Sequence, residues 1–342
     1  MRKREIMDVN ESIKTLALLS GGLDSTLAVK MVLDMGFEVE AVHFTTPFCN
    51  CDKCAVDNAG ERFGVKVHHI PLGEEFLSLL MKPPHGYGSQ MNICIDCRIT
   101  MMKKAKILAD EIGAEFLVTG EVLNERPFSQ RRTAMDLIER EAGLEGRILR
   151  PLSGALLPET EPERRGLIRR EELESISGRR RLPQMRLAEE LDIGDYPCPS
   201  GGCLLTDPQF ARKLKDVLAH EGELDMQNTS LLRFGRHFRV GDSKIIVGRN
   251  EMENNVLSAM AERWGIPSMS VSGHMGPTTL LASVVTEESI NLGASLTLRY
   301  SDAPRNEPVK ILYIRDGEES TLTMTMDDET YERIRAEIHP IS

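Results

Sequence analysis

Apolar positions in the first 120 residues follow two alternating rhythms. Residues 15–19 form a short apolar run that reads as a buried strand. Residues 24–35 then place Leu27, Ala28, Met31, Val32 and Met35 on one helical face, and Gly36 supplies the stop expected of a helix end. Residues 39–44 and 65–72 read as further strands. The stretch 98–112 sets Met102, Ala105, Ala109 and Ile112 on one face of a helix, and 116–119 is another strand. Strands alternating with helices predict crossover units and a mostly parallel sheet covered on both faces. Because such crossovers are right-handed, the expected fold class is α/β with a doubly wound sheet.

The rhythm breaks from 148 to 186, a stretch rich in Pro and Arg with few apolar residues. Eight arginines fall between Arg164 and Arg186, a basic island whose plainest reading is a solvated helical linker. After Cys203 the pattern becomes α+β. Segments 234–240 and 244–247 flank Gly241-Asp242 and predict a hairpin, while 279–285 and 309–314 read as strands. The boundary is expected at Asp207-Pro208, giving a first domain of residues 1–207, with the Arg-rich segment 148–186 inside it, and a smaller α+β domain of 208–342. No internal repeat or low-complexity tract is evident.

Composition sharpens this picture. The chain has 342 residues, enough for about two domains. Lys plus Arg number 42 against 53 Asp plus Glu, a net charge of −11, which disfavours a uniformly basic nucleic-acid binder but not a local basic face. The longest apolar runs fall far short of the roughly 18 residues that span a bilayer, and MRKREIMDVNES lacks the apolar centre of a signal peptide. A cytoplasmic protein with no membrane partner is expected.

Between the first strand and first helix stands Ser20-Gly21-Gly22-Leu23-Asp24-Ser25-Thr26. Two glycines admit a close ligand, and a helix N-terminus offers free N–H groups to an anion. The spacing is neither that of the common phosphate loop nor of the dinucleotide fingerprint. A generic Gly-Gly turn before a helix is the bland alternative. The heptapeptide SGGLDST resembles that of the PP-loop ATPases, adenine nucleotide alpha hydrolase-like (HUP-like) proteins that split ATP between its alpha and beta phosphates and adenylate a carbonyl oxygen. The resemblance implies that Ser20, Gly21, Gly22, Asp24, Ser25 and Thr26 hold the pyrophosphate of ATP, with Mg²⁺ between the phosphates and Asp24. It also places Phe44 near adenine and Gly120 in a second nucleotide-contacting turn, where Glu121 replaces a usual histidine.

Seven cysteines fall in clusters: Cys49, Cys51 and Cys54; Cys94 and Cys97; Cys198 and Cys203. Short pairs of this kind more often ligate metal or do redox chemistry than form structural disulfides. Cys94-Ile95-Asp96-Cys97 precedes the helix expected at Arg98, and Ser200-Gly201-Gly202-Cys203 follows a glycine turn. Within the PP-loop group, these segments resemble those of tRNA thiouridine synthases that carry an iron–sulfur cluster. The resemblance implies a 4Fe-4S cluster on Cys94, Cys97 and Cys203, with Cys97, Cys203 and Asp24 as catalytic residues. Thiolates also suit Zn²⁺, with Cys198 as a fourth ligand. A Cys97–Cys203 pair carrying a persulfide is a third arrangement, and inert buried thiols a fourth. For Cys49, Cys51 and Cys54 the choices are a second metal site, a zinc knuckle completed by His43 or His68, or unligated thiols.

The segments GEVLNERPFSQ, LRPLSGALLPET, GRRRLPQMRLAEE and YPCPSGGCLLTD extend the resemblance over about 13–207, toward a tRNA thiouridylase-like branch. Residues 233–315, with RFGR and IVGRNEMEN, resemble the RNA-binding module of NFACT proteins. That implies a basic patch of Arg233, Arg236, His237, Arg239, Lys244 and Arg249, with Phe234 and Phe238 available for stacking; the bland alternative is an alternating strand whose apolar residues are core. The leading expectation is an ATP-dependent tRNA sulfurtransferase whose arginines at 164–186 and C-terminal patch grip tRNA. The alternatives are an adenylating enzyme making an amide or thioamide on a small molecule, and a non-catalytic ATP-gated RNA-binding protein. The sulfur donor, the modified uridine and the oligomeric state stay open, a homodimer included.

Overall fold

The computed structural model describes residues 13–50, 53–194 and 202–341. The chain divides into two compact units between Leu204 and Leu205.

In the first unit the elements run β1 (Lys14–Leu18), α1 (Leu23–Asp34), β2 (Glu38–Thr45), α2 (Lys53–Phe63), β3 (Lys66–Pro71) and α3 (Glu74–Met81). They continue with α4 (Cys94–Ile112), β4 (Phe116–Thr119), α5 (Arg132–Ala142), β5 (Ile148–Leu149), α6 (Glu161–Arg164) and α7 (Leu182–Glu190). The five strands form one sheet in the order β3-β2-β1-β4-β5, every pairing parallel. This is the expected doubly wound α/β arrangement. From β1 the order runs outward to β2 and β3 on one side and to β4 and β5 on the other. The crevice beyond the C-terminal ends of β1 and β4 is therefore the topological switch point, where open sheets of this kind bind ligands.

The core of this unit joins both halves of its sequence. Leu23, Leu27 and Val32 of α1 pack with Val118 of β4, with Leu152, Ile168, Leu173 and Ile176 from the Arg-rich segment, and with Leu187 just beyond it in α7. That segment is thus not the solvated linker expected. Its apolar residues are sparse and irregularly spaced, but Leu152, Ile168, Leu173 and Ile176 are buried in this core, while Leu156, Leu182 and Met185 stay exposed.

The second unit begins with α8 (Pro208–His220) and α9 (Met226–Leu231), followed by β6 (Arg236–Val240), β7 (Ser243–Val247), α10 (Glu251–Trp264), β8 (Ser268–Val271) and β9 (Thr279–Leu281). It ends with α11 (Glu287–Arg299), β10 (Pro308–Arg315), β11 (Glu318–Thr325) and α12 (Asp328–Glu337). Six antiparallel strands take the order β11-β10-β8-β9-β7-β6. The expected hairpin is β6–β7, with Val240 opposite Ser243. Alternation along β7 feeds two cores: Ile245 and Val247 face the cluster with α11 and α12, and Ile246 faces that with α9 and α10. The strand expected over 279–285 stops at Leu281, because Thr286 turns the chain and caps α11 by accepting from the Ser289 amide at 3.1 Å.

Candidate functional site

At the end of β1, Gly21 turns the chain with φ +76°, a left-handed value that suits glycine. A Cβ there would stand 3.1 Å from Val56 Cγ2, since the start of α2 leans on the loop. The loop hydroxyls turn partly inward. Ser25 Oγ donates to the Gly22 carbonyl at 2.9 Å and accepts from the Ser20 amide at 3.2 Å. Thr26 Oγ1 donates to the same carbonyl at 3.0 Å. Ser25 and Thr26 are buried and hold the loop's shape, while Ser20 is exposed. No side chain caps α1, so its first-turn amides remain available to an anion.

The turn after β4 closes on this loop. A Cβ at Gly120 would lie 2.4 Å from both the Asp24 carbonyl carbon and the Ser25 nitrogen, so only glycine lets the two backbones meet. Phe44 is buried near the end of β2, paired across the ladder with Ile70. Asp24 Oδ2 lies 3.6 Å from Arg181 Nη2, and its buried Oδ1 has no hydrogen-bond partner among the described residues. Burial pushes the Asp24 carboxyl upward against the charges of Arg181 and Arg126. Glu125 is raised as well, by burial first and then by the charge of Asp24.

The cysteine pair sits inside a helix and not before one: α4 begins at Cys94, four residues earlier than expected. Asp96 explains the early start. It is 3% exposed, carries negative charge in the first turn, and binds His85 through Nδ1 at 2.7 Å and the backbone amide at 3.2 Å. Asn92, just ahead of the helix, donates from Nδ2 to Cys94 Sγ at 3.2 Å. Cys97 keeps part of its surface open to solvent, yet enough protein mass surrounds its sulfur that burial pushes the thiol up to about 12. Cys203 and Cys94 push it the same way, and Arg98 opposes them. The fold therefore gathers Cys94, Cys97 and Cys203 from two segments more than a hundred residues apart. The Leu204 amide donates to the Phe48 carbonyl at 2.9 Å, anchoring the chain beside Cys203.

Glu121 links the two halves. It is 2% exposed, accepts from Arg150 Nε at 3.0 Å and from Thr119 Oγ1 at 3.3 Å, and faces Arg98 Nε at 3.5 Å. Arg150, 4% exposed, also pairs with Glu139. Glu121 is held below the ordinary carboxylate range: burial works against this, but Arg150 and Arg98 outweigh it.

The remaining cysteines divide. Cys54 is free and exposed, Cys49 is disulfide-bonded, and Cys51 and Cys198 lie outside the described residues, as do Ser200 and Gly201. Cys49 is therefore not one of three unligated thiols. The histidines offered to a zinc knuckle have other bonds: His68 Nε2 is 2.6 Å from Glu40 Oε2, and His43 Nδ1 bonds the Leu19 carbonyl at 2.9 Å. Among the described residues, no three His, Cys, Asp or Glu side chains are grouped to hold a metal ion.

Most of the arginine island is spent inside the first unit. Arg165 pairs with Glu115, Arg169 with Glu172 and Arg170 with Glu163, while Arg164 donates to the Glu159 carbonyl. Arg179, Arg180 and Arg186 stay exposed. The expected C-terminal patch is partly interior. Phe238 and His237 are both 0% exposed, and buried Lys244 joins Arg239 on Asp216. Arg249 pairs with Glu253, and half-buried Phe234 packs against the α9–α10 core. Alternation along β6 and β7 therefore turns His237, Arg239 and Lys244 inward, while Arg233 and Arg249 stay exposed and Arg236 half-exposed.

Arg98, Arg150 and Gln184 were not singled out by sequence reasoning, although Arg150 and Gln184 lie within LRPL and GRRRLPQ, and Arg181 was assigned only to the tRNA-gripping island. No helix among the described residues is long and apolar enough to cross a membrane.

Two stretches match known families. Residues 11–157 match the thiamine biosynthesis protein (ThiI) family, and residues 235–337 match the NFACT protein RNA binding domain. A probable tRNA sulfurtransferase from Acetivibrio thermocellus is 30% identical over 161 residues, covering 43% of this chain and 38% of that protein. Another, from Thermococcus kodakarensis, is 30% identical over 144 residues, covering 41% of this chain and 37% of its own length. The chain thus spans well under half the length of these curated relatives. A solved structure, the U34-tRNA thiolase NcsA from Methanococcus maripaludis with its 4Fe-4S cluster, aligns with a TM-score of 0.32 and 16% identity, covering 77% of this chain and 84% of that one.

Proposed function

We propose that the protein is an ATP-dependent tRNA sulfurtransferase that adenylates a uridine carbonyl oxygen and replaces it with sulfur. The observation that carries this reading is the meeting of a nucleotide-type loop and three thiols within one unit, joined through consecutive residues. Gly120 packs on the Asp24–Ser25 backbone, and Glu121 reaches Arg98 beside Cys97. The matches to the ThiI and NFACT families and to probable tRNA sulfurtransferases support the same substrate class.

In this reading the uncapped amides of α1 and the Ser20 hydroxyl hold the pyrophosphate end of ATP, and Asp24 meets its Mg²⁺. The uridine oxygen attacks the α-phosphorus, the bond to pyrophosphate breaks, and the base is left carrying AMP. Sulfur then bonds to the activated carbon and AMP departs with the original oxygen. The chain contributes position and fixed charge, the main sources of rate in phosphoryl-type transfer.

In this reading a 4Fe-4S cluster would be held by Cys94, Cys97 and Cys203, whose sulfurs lie near one another without being grouped around a single metal ion. Thiolates are the ligands such clusters take. The Asn92 amide already donates to Cys94 Sγ, and the start of the 19-residue α4 lends the positive end of its dipole to two of the three. With its thiol at about 12, Cys97 stays protonated at neutral pH unless a bound cation holds the thiolate. Such a cluster would supply the sulfur-delivering centre.

The test is anaerobic purification with iron, sulfide and zinc analysis of the wild type and of Cys94→Ala, Cys97→Ala and Cys203→Ala, alongside pyrophosphate release with and without tRNA. Release that requires tRNA, and iron lost in each variant, is expected. Release indifferent to tRNA would refute the substrate, and zinc without iron would refute the cluster.

A further inference from the structure

Buried polar atoms without partners concentrate at one place beside the nucleotide loop. Asp24 Oδ1, Arg181 Nε and both side-chain polar atoms of Gln184 are buried and none makes a hydrogen bond of good geometry among the described residues, although the Gln184 amide lies near enough to Asp24 to draw its carboxyl down. Folded proteins leave few such atoms, because each unmade bond costs the full desolvation of its group. A cluster of them on one patch marks where a ligand completes the bonding.

The patch is assembled by α7, which lies beyond the residues matched to the ThiI family. α7 packs on α1, with Leu187 and Ala188 in the same buried cluster as Leu23 and Leu27. The first turn of α7 is thereby fixed over the first turn of α1. Arg181, at the N-cap of α7, holds Asp24 only by charge: at 3.6 Å the pair exceeds hydrogen-bond distance, and among the described residues the guanidinium makes no side-chain hydrogen bond. Two needs are therefore unmet side by side, an acceptor for an arginine fork and a cation for a carboxylate. Glu125, pushed up by burial and by Asp24, sharpens the second need. A magnesium-bound polyphosphate answers both at once, since arginine pairs with phosphate oxygens in a bidentate fork.

We infer that Arg181 is a pyrophosphate-binding residue, contacting the β and γ phosphates of the nucleotide from the side opposite the α1 amides, with the Gln184 amide beneath it. The inference rests on the nucleotide-site reading above. It reassigns one arginine of the basic island from tRNA to the leaving group.

Calorimetric titration of the full chain with MgATP, magnesium pyrophosphate and AMP tests it, on the wild type, Arg181→Ala and Arg181→Lys. Loss of an arginine–phosphate contact should weaken MgATP and pyrophosphate by about tenfold or more in Arg181→Ala. AMP, which lacks both distal phosphates, should bind all three proteins alike, and lysine should restore part of the loss. MgATP affinity unchanged in both variants overturns the inference. An equal loss for AMP also overturns it, by showing a structural role. A wild type that binds none of the three would remove the functional reading itself, an outcome distinct from either.

Discussion

Removing the charge of Glu121 while keeping its shape, as Glu121→Gln, should destabilise the first unit by about 3 kcal/mol. Breaking a buried ion pair from one side costs roughly 3–5 kcal/mol, because the partner is left as an uncompensated buried charge. Here Arg150 is 4% exposed and would keep only Glu139, while Arg98 would lose the carboxylate it faces at 3.5 Å. The surviving Glu139 contact places the expected cost at the lower end of that range. The coupling can be isolated with Arg150→Met and the double variant, where an interaction energy of about 2 kcal/mol is expected for groups sharing one network.

Urea unfolding read two ways assigns the effect to the right unit. Trp264 is the single tryptophan and lies in α10, so fluorescence follows the second unit, and far-ultraviolet dichroism follows both. The sign with pH is fixed by the depressed carboxyl of Glu121. Its stabilisation is present in full above the ordinary carboxylate range and lost as pH falls through its lowered folded value. The gap between wild type and Glu121→Gln should therefore be widest near pH 7 and close in strong acid. A deficit below about 1 kcal/mol at pH 7, or a gap that widens on acidification, would refute the reasoning.

Three further outcomes are expected. Gly120→Ala forces a Cβ to within 2.4 Å of the Asp24 and Ser25 backbone, so it should cost about 1–3 kcal/mol and weaken MgATP binding; wild-type melting and affinity would contradict the close approach. Burial pushes Lys213 down to about 8, so the unfolded chain holds a proton there between roughly pH 8 and 10.4 that the folded one does not. The second unit should accordingly gain stability across that window, on the order of 2 kcal/mol by Trp264 fluorescence, and a flat or falling profile would count against a buried lysine. Arg179 and Arg180 are exposed and make no ion pair among the described residues, so replacing both by Ala should reduce the salt slope of tRNA binding by about 2 without changing MgATP affinity. An unchanged slope would remove the basic island from the tRNA interface.

Much of the first unit was legible because its elements are local. Apolar runs marked β1, β2 and β4, a helical stripe marked α1, and SGGLDST located the loop at the sheet's switch point. What escaped was set by partners distant in sequence. The start of α4 was misplaced because CIDC carries no apolar period, and Asp96 finds its reason in His85. The arginine island looked free because Glu115, the partner of Arg165, lies fifty residues upstream. Likewise Lys244 and Arg239 looked like a basic surface until α8 brought Asp216 to them. Composition reports how many charges a segment holds, but neutralisation depends on which elements pack together.

The sheet order explains why one short segment links both chemistries of the candidate site. Because β1 and β4 are neighbours, the chain leaving β4 must pass the start of α1, and Gly120 makes that passage close enough to touch the Asp24–Ser25 backbone. Because α4 runs directly into β4, the same turn also lies near the start of α4, and Glu121 makes its ion pair with Arg98 there. Two consecutive residues therefore act on different partners, one by shape on the nucleotide loop and one by charge on the thiol helix. Their substitutions should separate accordingly. Gly120→Ala should lower MgATP affinity while the iron content of the anaerobic protein holds. Glu121→Gln should lower iron content while MgATP affinity holds. If both variants lost both properties in parallel, the turn would be a single structural unit, and its assignment as a joint between two functions would fail.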